Sequence, residues 1–334
     1  MRIQFSLEKI ILPLRYAWRL SRNTSVEKTN FTVRAECDGF SGLGEVAPNI
    51  HYGETPDRVE TEFFNLKGFL SQDFTPETWA ENLGDFPFCQ ALKMGLDMAF
   101  QRMLAAQKGM DFSVHLDLPR PKPREIAYTI PVMEPNEIEG FMNRENLHRF
   151  SWLKVKVNKE LAWPMLETLF KITTNPIAID GNEAWTNPAE VISFTQKLDP
   201  KQVLFLEQPL PASQRADYEW LMPNSSIPIW GDESVLHTPE PEYWKAAFKG
   251  INVKLMKAGS FANAIALLKT ARSIGLQTML GCMVETSVGI SAALGLESLA
   301  DYVDLDGFLL IQNDSRKWVE ERNGIIYPTL AKSG

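Results

Sequence analysis

The chain has 334 residues, of which 44% are hydrophobic and 23% are charged, and its formal net charge is −8. This length suits one large domain with a smaller partner, and no apolar run reaches the roughly 18 residues that a membrane span requires. The acidic balance, without a concentrated lysine and arginine tract, argues against nucleic-acid binding. We therefore expect a small molecule as partner, with no nucleic acid and no membrane, and a homo-oligomer is compatible with this composition.

Cysteine usage and the N-terminus bear on the cellular compartment. Cys37, Cys89 and Cys282 are odd in number and lack CxxC spacing, which argues against a disulfide framework and a thiolate zinc site. The first residues, MRIQFSLEKIILPLRYAW, alternate like a strand and carry charges through their apolar part, which does not suit a signal peptide. We expect a cytoplasmic protein.

The N-terminal part of the chain predicts an α+β domain. Residues 1 to about 47 form alternating runs with turn signals at Asp38-Gly39 and at Gly42 to Gly44, a pattern typical of an antiparallel meander. Helical spacing follows at residues 56–70 and 88–108. The proline-rich connector LPRPKPR then marks a boundary, so we predict that this domain covers residues 1–118.

From residue 125 to 309 short apolar strands alternate with amphipathic helices. The predicted strands are 126–132, 152–157, 176–180, 203–207, 227–232, 251–255, 278–283 and 302–306. Eight strands spaced by about 25 residues are what a closed parallel barrel requires. An open doubly wound sheet is the competing architecture, but no glycine-rich phosphate fingerprint follows an early strand.

Two lysines lie inside the second barrel strand, WLKVKV. Lys154 and Lys156 share one face of this strand because successive side chains point to opposite faces. An isolated pair of this kind is ordinarily a solvated strand face. The ends of the following strands favour another interpretation.

Carboxylates end the third, fourth and fifth strands, namely Asp180, Glu207 and Asp232, and Lys254 ends the sixth. In a barrel these ends converge on one rim, where active sites lie. A single carboxylate there is more often a helix cap, but three on adjacent strands repel one another unless a cation lies between them. Oxygen ligands suit Mg²⁺. Zinc is less favoured, because no histidine lies at a predicted strand end (His51, His115, His148, His237).

Barrel geometry places the second and sixth strands on opposite sides of the ring. A substrate held at the rim then has a lysine on each face, the arrangement that stereochemical inversion at one carbon requires. A proton next to a carboxylate is weakly acidic, so a metal ion and nearby cations must stabilise the dianionic intermediate. The charge of Lys154 beside Lys156 favours the neutral form of one amine, which makes a usable base.

Five short motifs occur in this order: Lys154-Val-Lys156, Asp180-Gly-Asn182, Glu207-Gln-Pro209, Asp232-Glu-Ser234 and Asn252-Val-Lys254. Together they resemble the enolase superfamily, in particular its muconate lactonizing enzyme-like subgroup, over essentially the whole chain. The resemblance implies an α/β fold, a modified TIM barrel of (β/α)7β type at 125–309. It also implies an α+β capping domain at 1–118, completed by the C-terminal segment at about 310–334.

The resemblance also implies roles for the strand-end residues. It implies one Mg²⁺ ion per subunit held by Asp180, Glu207 and Asp232, and an acid/base pair formed by Lys156 and Lys254. It implies further that Lys154 assists Lys156 and the substrate carboxylate, and that Glu233 pairs with Lys254. Asp-Gly-Asn stands where Asp-Ala-Asn is more usual, which leaves the ligand intact.

The eighth strand and the N-terminal loop bear on the substrate. Asp304 and Asp306 in YVDLDG resemble the Asp-x-Asp motif with which dipeptide epimerases hold the free α-ammonium of their substrate. Arg22 matches the arginine that meets the glutamate side chain in L-Ala-D/L-Glu epimerases, and a guanidinium suits carboxylate recognition. Arg19 is an alternative, and Tyr52 could join the pocket without an assigned role.

The resemblance therefore implies an isomerase, a Mg²⁺-dependent dipeptide epimerase. It would invert the α-carbon of the C-terminal residue by 1,1-proton transfer through an enolate. L-Ala-D/L-Glu or a related dipeptide of cell-wall peptide turnover is the expected substrate. An o-succinylbenzoate synthase or N-acylamino acid racemase is the alternative on the same scaffold, and a non-catalytic anion-binding barrel is the alternative of another class.

Overall fold

The computed structural model describes residues 3–19, 24–68 and 78–329. The chain begins with a three-stranded antiparallel sheet of strands β1 (Gln4–Arg19), β2 (Thr24–Cys37) and β3 (Phe40–Val46), in that order. Buried residues alternate with more exposed ones along the second half of β2, so one face of the sheet supports the core. The predicted antiparallel meander is confirmed.

Four α-helices of the described part of the chain follow this sheet. They are α1 (Pro56–Asn65), α2 (Trp79–Asp85), α3 (Gln90–Gln107) and α4 (Phe112–His115). Helix α3 packs against the buried face of the sheet. Helix α1 begins where the sequence predicts, because the Thr55 hydroxyl accepts a hydrogen bond from the Arg58 N–H and Pro56 fits a first turn. It passes into a 3-10 turn at Leu66–Gly68, so the α-helix is shorter than predicted.

Glycines let α3 lie directly against β3. A Cβ atom at Gly44 would lie 2.1 Å from the carbonyl oxygen of Gly95 on the helix. The interpretation of Gly42 to Gly44 as a turn is therefore wrong, because these are strand residues that admit a helix backbone. The turn lies at Asp38-Gly39, where both residues have positive φ.

A short strand, β4 (Arg124–Glu125), precedes an eight-stranded parallel sheet whose strands follow chain order. The strands are β5 (Tyr128–Ile130), β6 (Leu153–Lys156), β7 (Ile177–Asp180), β8 (Val203–Glu207), β9 (Ile229–Gly231), β10 (Gly250–Lys254), β11 (Gln277–Gly281) and β12 (Tyr302–Asp304). The Ala127 N–H donates to the carbonyl oxygen of Val303 at 3.3 Å, which links the first strand to the eighth. The predicted barrel is confirmed.

Helices follow the barrel strands and pack on their outer side. They are α5 (Pro135–Arg144), α6 (Ala162–Ile172), α7 (Pro188–Thr195), α8 (Arg215–Asn224), α9 (Pro241–Ala247), α10 (Leu255–Ala258), α11 (Phe261–Ser273) and α12 (Ser287–Leu294). Among the described residues, no helix combines the length and the hydropathy needed to cross a membrane.

Inward-pointing side chains form layers inside the barrel. One layer is largely aromatic: Phe205 and Trp230 stack with ring centroids 4.1 Å apart, and Tyr302 meets both edge-on. Trp152 belongs to the same layer. The next inward residues on these four strands, two positions further along, are Lys154, Glu207, Asp232 and Asp304. The period of two in a strand thus places ionisable groups directly on an apolar floor.

The C-terminal segment contacts both parts of the molecule. Strands β13 (Val319–Arg322) and β14 (Ile325–Pro328) form an antiparallel hairpin that pairs with β4. Ile311 forms a bridge with Leu14 on β1. The division of the chain into residues 1–118 and 125–309, with a C-terminal segment that completes the first domain, stays a prediction.

Candidate active site

A cavity of about 420 Å³ lies at the carboxyl ends of the barrel strands, under the N-terminal domain. It is lined by most of the residues predicted to act at the site, namely Lys154, Lys156, Asp232, Lys254, Asp304 and Asp306. Residues of the N-terminal domain, among them Lys28, His51 and Tyr52, form the opposite wall. Asp180 and Glu207 are fully buried beside this cavity. The fold thus brings the predicted barrel residues together.

Lys154 lies at the centre of the carboxylates. Its Nζ atom is 2.8 Å from Glu207 Oε2, 2.8 Å from Asp304 Oδ2 and 3.3 Å from Asp180 Oδ2. Burial by itself lowers the pKa of Lys154, but the three carboxylates outweigh burial and raise this pKa well above its ordinary value. Lys154 is therefore an ammonium ion with anionic neighbours. Among protein charges, the sequence indicated only the repulsion of Lys154 with Lys156.

Lys156 points toward the next strand. Its Nζ atom lies 2.6 Å from Asp180 Oδ2 and 2.8 Å from Asn182 Oδ1. Burial raises the pKa of Asp180, but the ammonium groups of Lys156 and Lys154 outweigh burial and lower this pKa to about 2. Asp180 is therefore a carboxylate at neutral pH, as a metal ligand must be.

Asp232 receives two lysines. Lys254 Nζ lies 2.8 Å from Asp232 Oδ2, and Lys257 Nζ lies 2.5 Å from Oδ1. The sequence resemblance implies Glu233 as the partner of Lys254. The described hydrogen bond of Lys254 goes to Asp232 instead. The sequence interpretation missed Lys257, although its position three residues after Lys254 is the spacing that places two side chains on one side of a helical turn. Lys257 helps to fix the orientation of Asp232.

Two amide side chains support the carboxylate residues, one through the main chain and one through a carboxylate oxygen. Gln208 Oε1 accepts hydrogen bonds from the N–H groups of Asp232 and Ser234 at 2.8 and 3.1 Å. Asn252 Nδ2 donates to Glu207 Oε1 at 2.8 Å. Both residues belong to motifs recognised in the sequence, but their roles emerge only from the contacts between strands.

The donor set of Asp180, Glu207 and Asp232 fits a magnesium ion. All three are at most 1% exposed and offer carboxylate oxygens, the ligands that Mg²⁺ prefers. The contact of Lys154 with both Asp180 and Glu207 requires these two carboxylates to face a common point. Buried carboxylates also need compensating positive charge, which a bound divalent cation would supply together with the lysines.

A second group with metal-ligand chemistry lies at the mouth of the cavity. Ligand atoms of His51, Glu183 and Glu233 lie within 4.8 Å of one another. Burial and the neighbouring Asp232 raise the pKa of Glu233 to about 8. His51 lies at no strand end, as the sequence indicated, and it reaches the site from a 3-10 turn of the N-terminal domain.

Asp304 and Asp306 form an acidic wall at the eighth strand. Asp306 Oδ2 accepts a hydrogen bond from the Thr129 N–H at 2.6 Å. Burial, then the charge of Asp304, raises the pKa of Asp306 to about 7. The Oδ1 atom of Asp304 is buried and has no hydrogen-bond partner among the residues that the structure describes. This wall can accept a cationic group of a ligand.

Of the residues predicted to reach the site from the N-terminal part of the chain, only some lie in the described part of the structure. Arg22 lies outside the described residues, as does the side chain of Arg19. Tyr52 lines the cavity, as the sequence suggested. Lys28 also lines it but was not identified from the sequence, because the alternation of β2 does not indicate which face meets the barrel.

Comparison with known proteins gives consistent matches. Residues 142–327 match the family model described as enolase C-terminal domain-like. The chain is 31% identical, over 94% of its length and 82% of the relative, to an L-Ala-D/L-Glu epimerase from Bacteroides thetaiotaomicron. The L-Ala-D/L-Glu epimerase from Bacillus subtilis, solved with substrate, is 24% identical with a TM-score of 0.90, covering 98% and 97% of the two chains.

The structure of a third similar protein contains both a metal ion and a dipeptide. The dipeptide epimerase from Enterococcus faecalis V583, in complex with Mg and the dipeptide L-Leu-L-Tyr, superposes with a TM-score of 0.87 at 21% identity. The alignment covers all of this chain and 99% of that one.

Proposed function

This chain belongs to the enolase superfamily, and on that premise we propose that it is a Mg²⁺-dependent dipeptide epimerase. The observation that carries the proposal is the meeting of three features in one cavity. These are a lysine from each of two opposite strands, a set of buried carboxylates that fits a metal ion, and an acidic wall on β12.

In the proposed reaction Lys156 and Lys254 act on opposite faces of the same α-carbon. They end β6 and β10, which are four strands apart in an eight-stranded barrel, and both line the cavity. One lysine removes the α-proton as the enolate forms, and the other delivers a proton from the far side, which inverts the C-terminal residue of the dipeptide. Lys154, as an ammonium ion, offsets the negative charge that develops on the substrate carboxylate.

Asp180, Glu207 and Asp232 are proposed to hold one Mg²⁺ ion per subunit. When bound, the ion supplies positive charge next to the substrate carboxylate and so makes the α-proton more acidic. Gln208 and Lys257 keep Asp232 in place, and Asn252 keeps Glu207 in place, through the hydrogen bonds described above.

Asp304 and Asp306 are proposed to bind the α-ammonium group of the dipeptide. The unpaired Oδ1 atom of Asp304 supports this role, because it offers a buried acceptor to a cation. An o-succinylbenzoate synthase or an N-acylamino acid racemase has a substrate without this ammonium group and would gain nothing from two carboxylates there.

L-Ala-D/L-Glu or a related dipeptide is the proposed substrate, with a role in cell-wall peptide turnover. A cytoplasmic location is supported by three free cysteines, which a reducing compartment keeps as thiols (Cys37, Cys89, Cys282).

Replacing Asp306 by asparagine tests the ammonium site. The amide keeps the shape of the side chain and an acceptor for the Thr129 N–H, but it removes the charge that attracts an ammonium group. We expect kcat/KM for L-Ala-L-Glu to fall by about 10- to 100-fold relative to kcat/KM for N-acetyl-L-glutamate. Chiral chromatography of both reactions measures this ratio. An equal loss on the two substrates would contradict the assignment of the acidic pair.

A further inference from the structure

Lys28 extends from the N-terminal domain into the wall of the active-site cavity. It lies on β2, two residues before Asn30, and both residues line the cavity from the same face of the strand. The main chain at Lys28 pairs with Leu12 on β1, so its position is set by a regular sheet. A side chain held on a sheet is placed more firmly than one on a loop.

This lysine has no counterion in the part of the chain that the structure describes. The other three lysines that line the cavity each have a carboxylate oxygen within 2.8 Å (Lys154, Lys156, Lys254). Lys28 is half-buried and makes no ion pair or hydrogen bond within residues 3–19, 24–68 and 78–329. Burial lowers its pKa, and no neighbouring carboxylate opposes this effect. A partly desolvated ammonium group of this kind favours an anionic ligand.

The proposed binding mode leaves one part of the substrate for this wall. The α-carboxylate lies toward the buried carboxylates and their metal ion, the α-ammonium lies at β12, and the α-carbon lies between the lysines of β6 and β10. The residues proposed to contact these three parts of the substrate all belong to the barrel. In L-Ala-L-Glu the side chain of the second residue is the charged group that remains, and Lys28 in the wall of the N-terminal domain is the cavity lysine that has no described counterion.

We propose that Lys28 is a specificity-determining residue that binds the side-chain carboxylate of the second residue of the dipeptide. The preferred substrates are then dipeptides that end in an acidic residue. This inference rests on the proposed epimerase function and adds a recognition group outside the barrel. It assigns to a sheet residue the recognition that the sequence resemblance gave to Arg22.

The test compares a dipeptide with its neutral isostere, L-Ala-L-Glu with L-Ala-L-Gln, in the full-length protein with Mg²⁺. In Lys28→Met we expect kcat/KM for L-Ala-L-Glu to fall by about 10- to 100-fold, chiefly through a higher KM. Turnover of L-Ala-L-Gln should change by no more than about threefold, which also shows that the variant is folded. Lys28→Arg keeps the charge and should retain much of the preference for glutamate.

Lys9→Met is the matched control. Lys9 lies on β1 and pairs with Glu60 at 2.9 Å, so this change removes the same charge from the same sheet without touching the cavity. The ratio of the two kcat/KM values should stay at the wild-type level in this variant, because exposed charges act weakly over long distances.

The outcomes separate the two proposals. A wild-type protein that inverts no dipeptide overturns the epimerase function and this inference with it, whereas one that inverts other dipeptides but not L-Ala-L-Glu overturns the role of Lys28 alone. A wild-type protein that inverts dipeptides, together with Lys28→Met that affects both substrates equally or neither, overturns the role of Lys28 alone. The same holds if Arg22→Met removes the preference for glutamate while Lys28→Met leaves it intact.

Discussion

Replacing Lys254 or Lys156 by alanine is expected to stop epimerisation while each variant still exchanges the α-proton of one epimer. Each lysine reaches one face of the α-carbon, so the remaining lysine can remove and return a proton on its own face only. Loss of one base should lower the rate of epimerisation by about 10²- to 10⁴-fold. The measurement is α-deuterium incorporation from D₂O into L-Ala-L-Glu and L-Ala-D-Glu, followed separately for each epimer.

The two variants should show reciprocal patterns. If Lys254→Ala exchanges one epimer, Lys156→Ala should exchange the other. Lys159→Ala is a suitable control, because Lys159 follows the same strand but pairs with Glu190 at the surface. Two variants that exchange the same epimer, or that both retain full epimerisation, would contradict the assignment of opposite faces.

Replacing Glu207 by glutamine is expected to weaken Mg²⁺ binding and, with it, activity. The amide keeps an acceptor for Asn252 but removes one of the three buried charges that face the proposed ion. We expect the affinity for Mg²⁺ to fall at least about tenfold and kcat/KM at least about 100-fold. Calorimetric titration of Mg²⁺ into the protein gives the affinity and the number of ions per chain without relying on activity, and one ion per chain is expected.

The His51→Ala variant tests which of the two groups of candidate metal ligands binds Mg²⁺. His51 lies with Glu183 and Glu233 at the mouth of the cavity, so this variant disrupts the second group and leaves the strand-end carboxylates intact. Mg²⁺ affinity should stay within about twofold of the wild-type value, since Mg²⁺ prefers oxygen to imidazole ligands. A large loss of affinity in His51→Ala together with a small one in Glu207→Gln would place the ion at the mouth instead.

The fold and the barrel half of the site were predictable because they follow from periodic patterns. Short strands at regular spacing define a parallel barrel, and the carboxyl ends of its strands must converge. Residues such as Asp180, Glu207 and Lys254 could therefore be grouped before any contact was known. The alternation within WLKVKV also fixed the common face of its two lysines, and Trp152 lies on that same face in the aromatic floor.

The rest of the site depends on how the N-terminal domain meets the barrel. Lys28 and His51 reach the cavity from a sheet and a 3-10 turn whose orientation no local pattern reveals. Lys257 lies in the turn after β10, and only its contact with Asp232 distinguishes it from a surface lysine. The surroundings of Lys154 were misjudged for a similar reason, since its charge partners come from β7, β8 and β12.

Gly42 to Gly44 illustrate the same limit in the fold. Glycine close to glycine in a short apolar segment favours a turn when only local propensity is considered. The close approach of α3 to β3 requires the same residues in an extended strand, and this requirement depends on a helix about 50 residues away in the chain.

The most direct measurement of the central claim is an exchange experiment on the unmodified protein. The protein and Mg²⁺ are incubated in D₂O with a panel of L,L-dipeptides, and mass spectrometry and chiral chromatography are applied to the products. We predict one deuterium at the α-carbon of the second residue, accompanied by the D-epimer, with the fastest exchange for acidic second residues. The absence of exchange into every dipeptide of the panel would contradict the assignment of this site to dipeptide epimerisation.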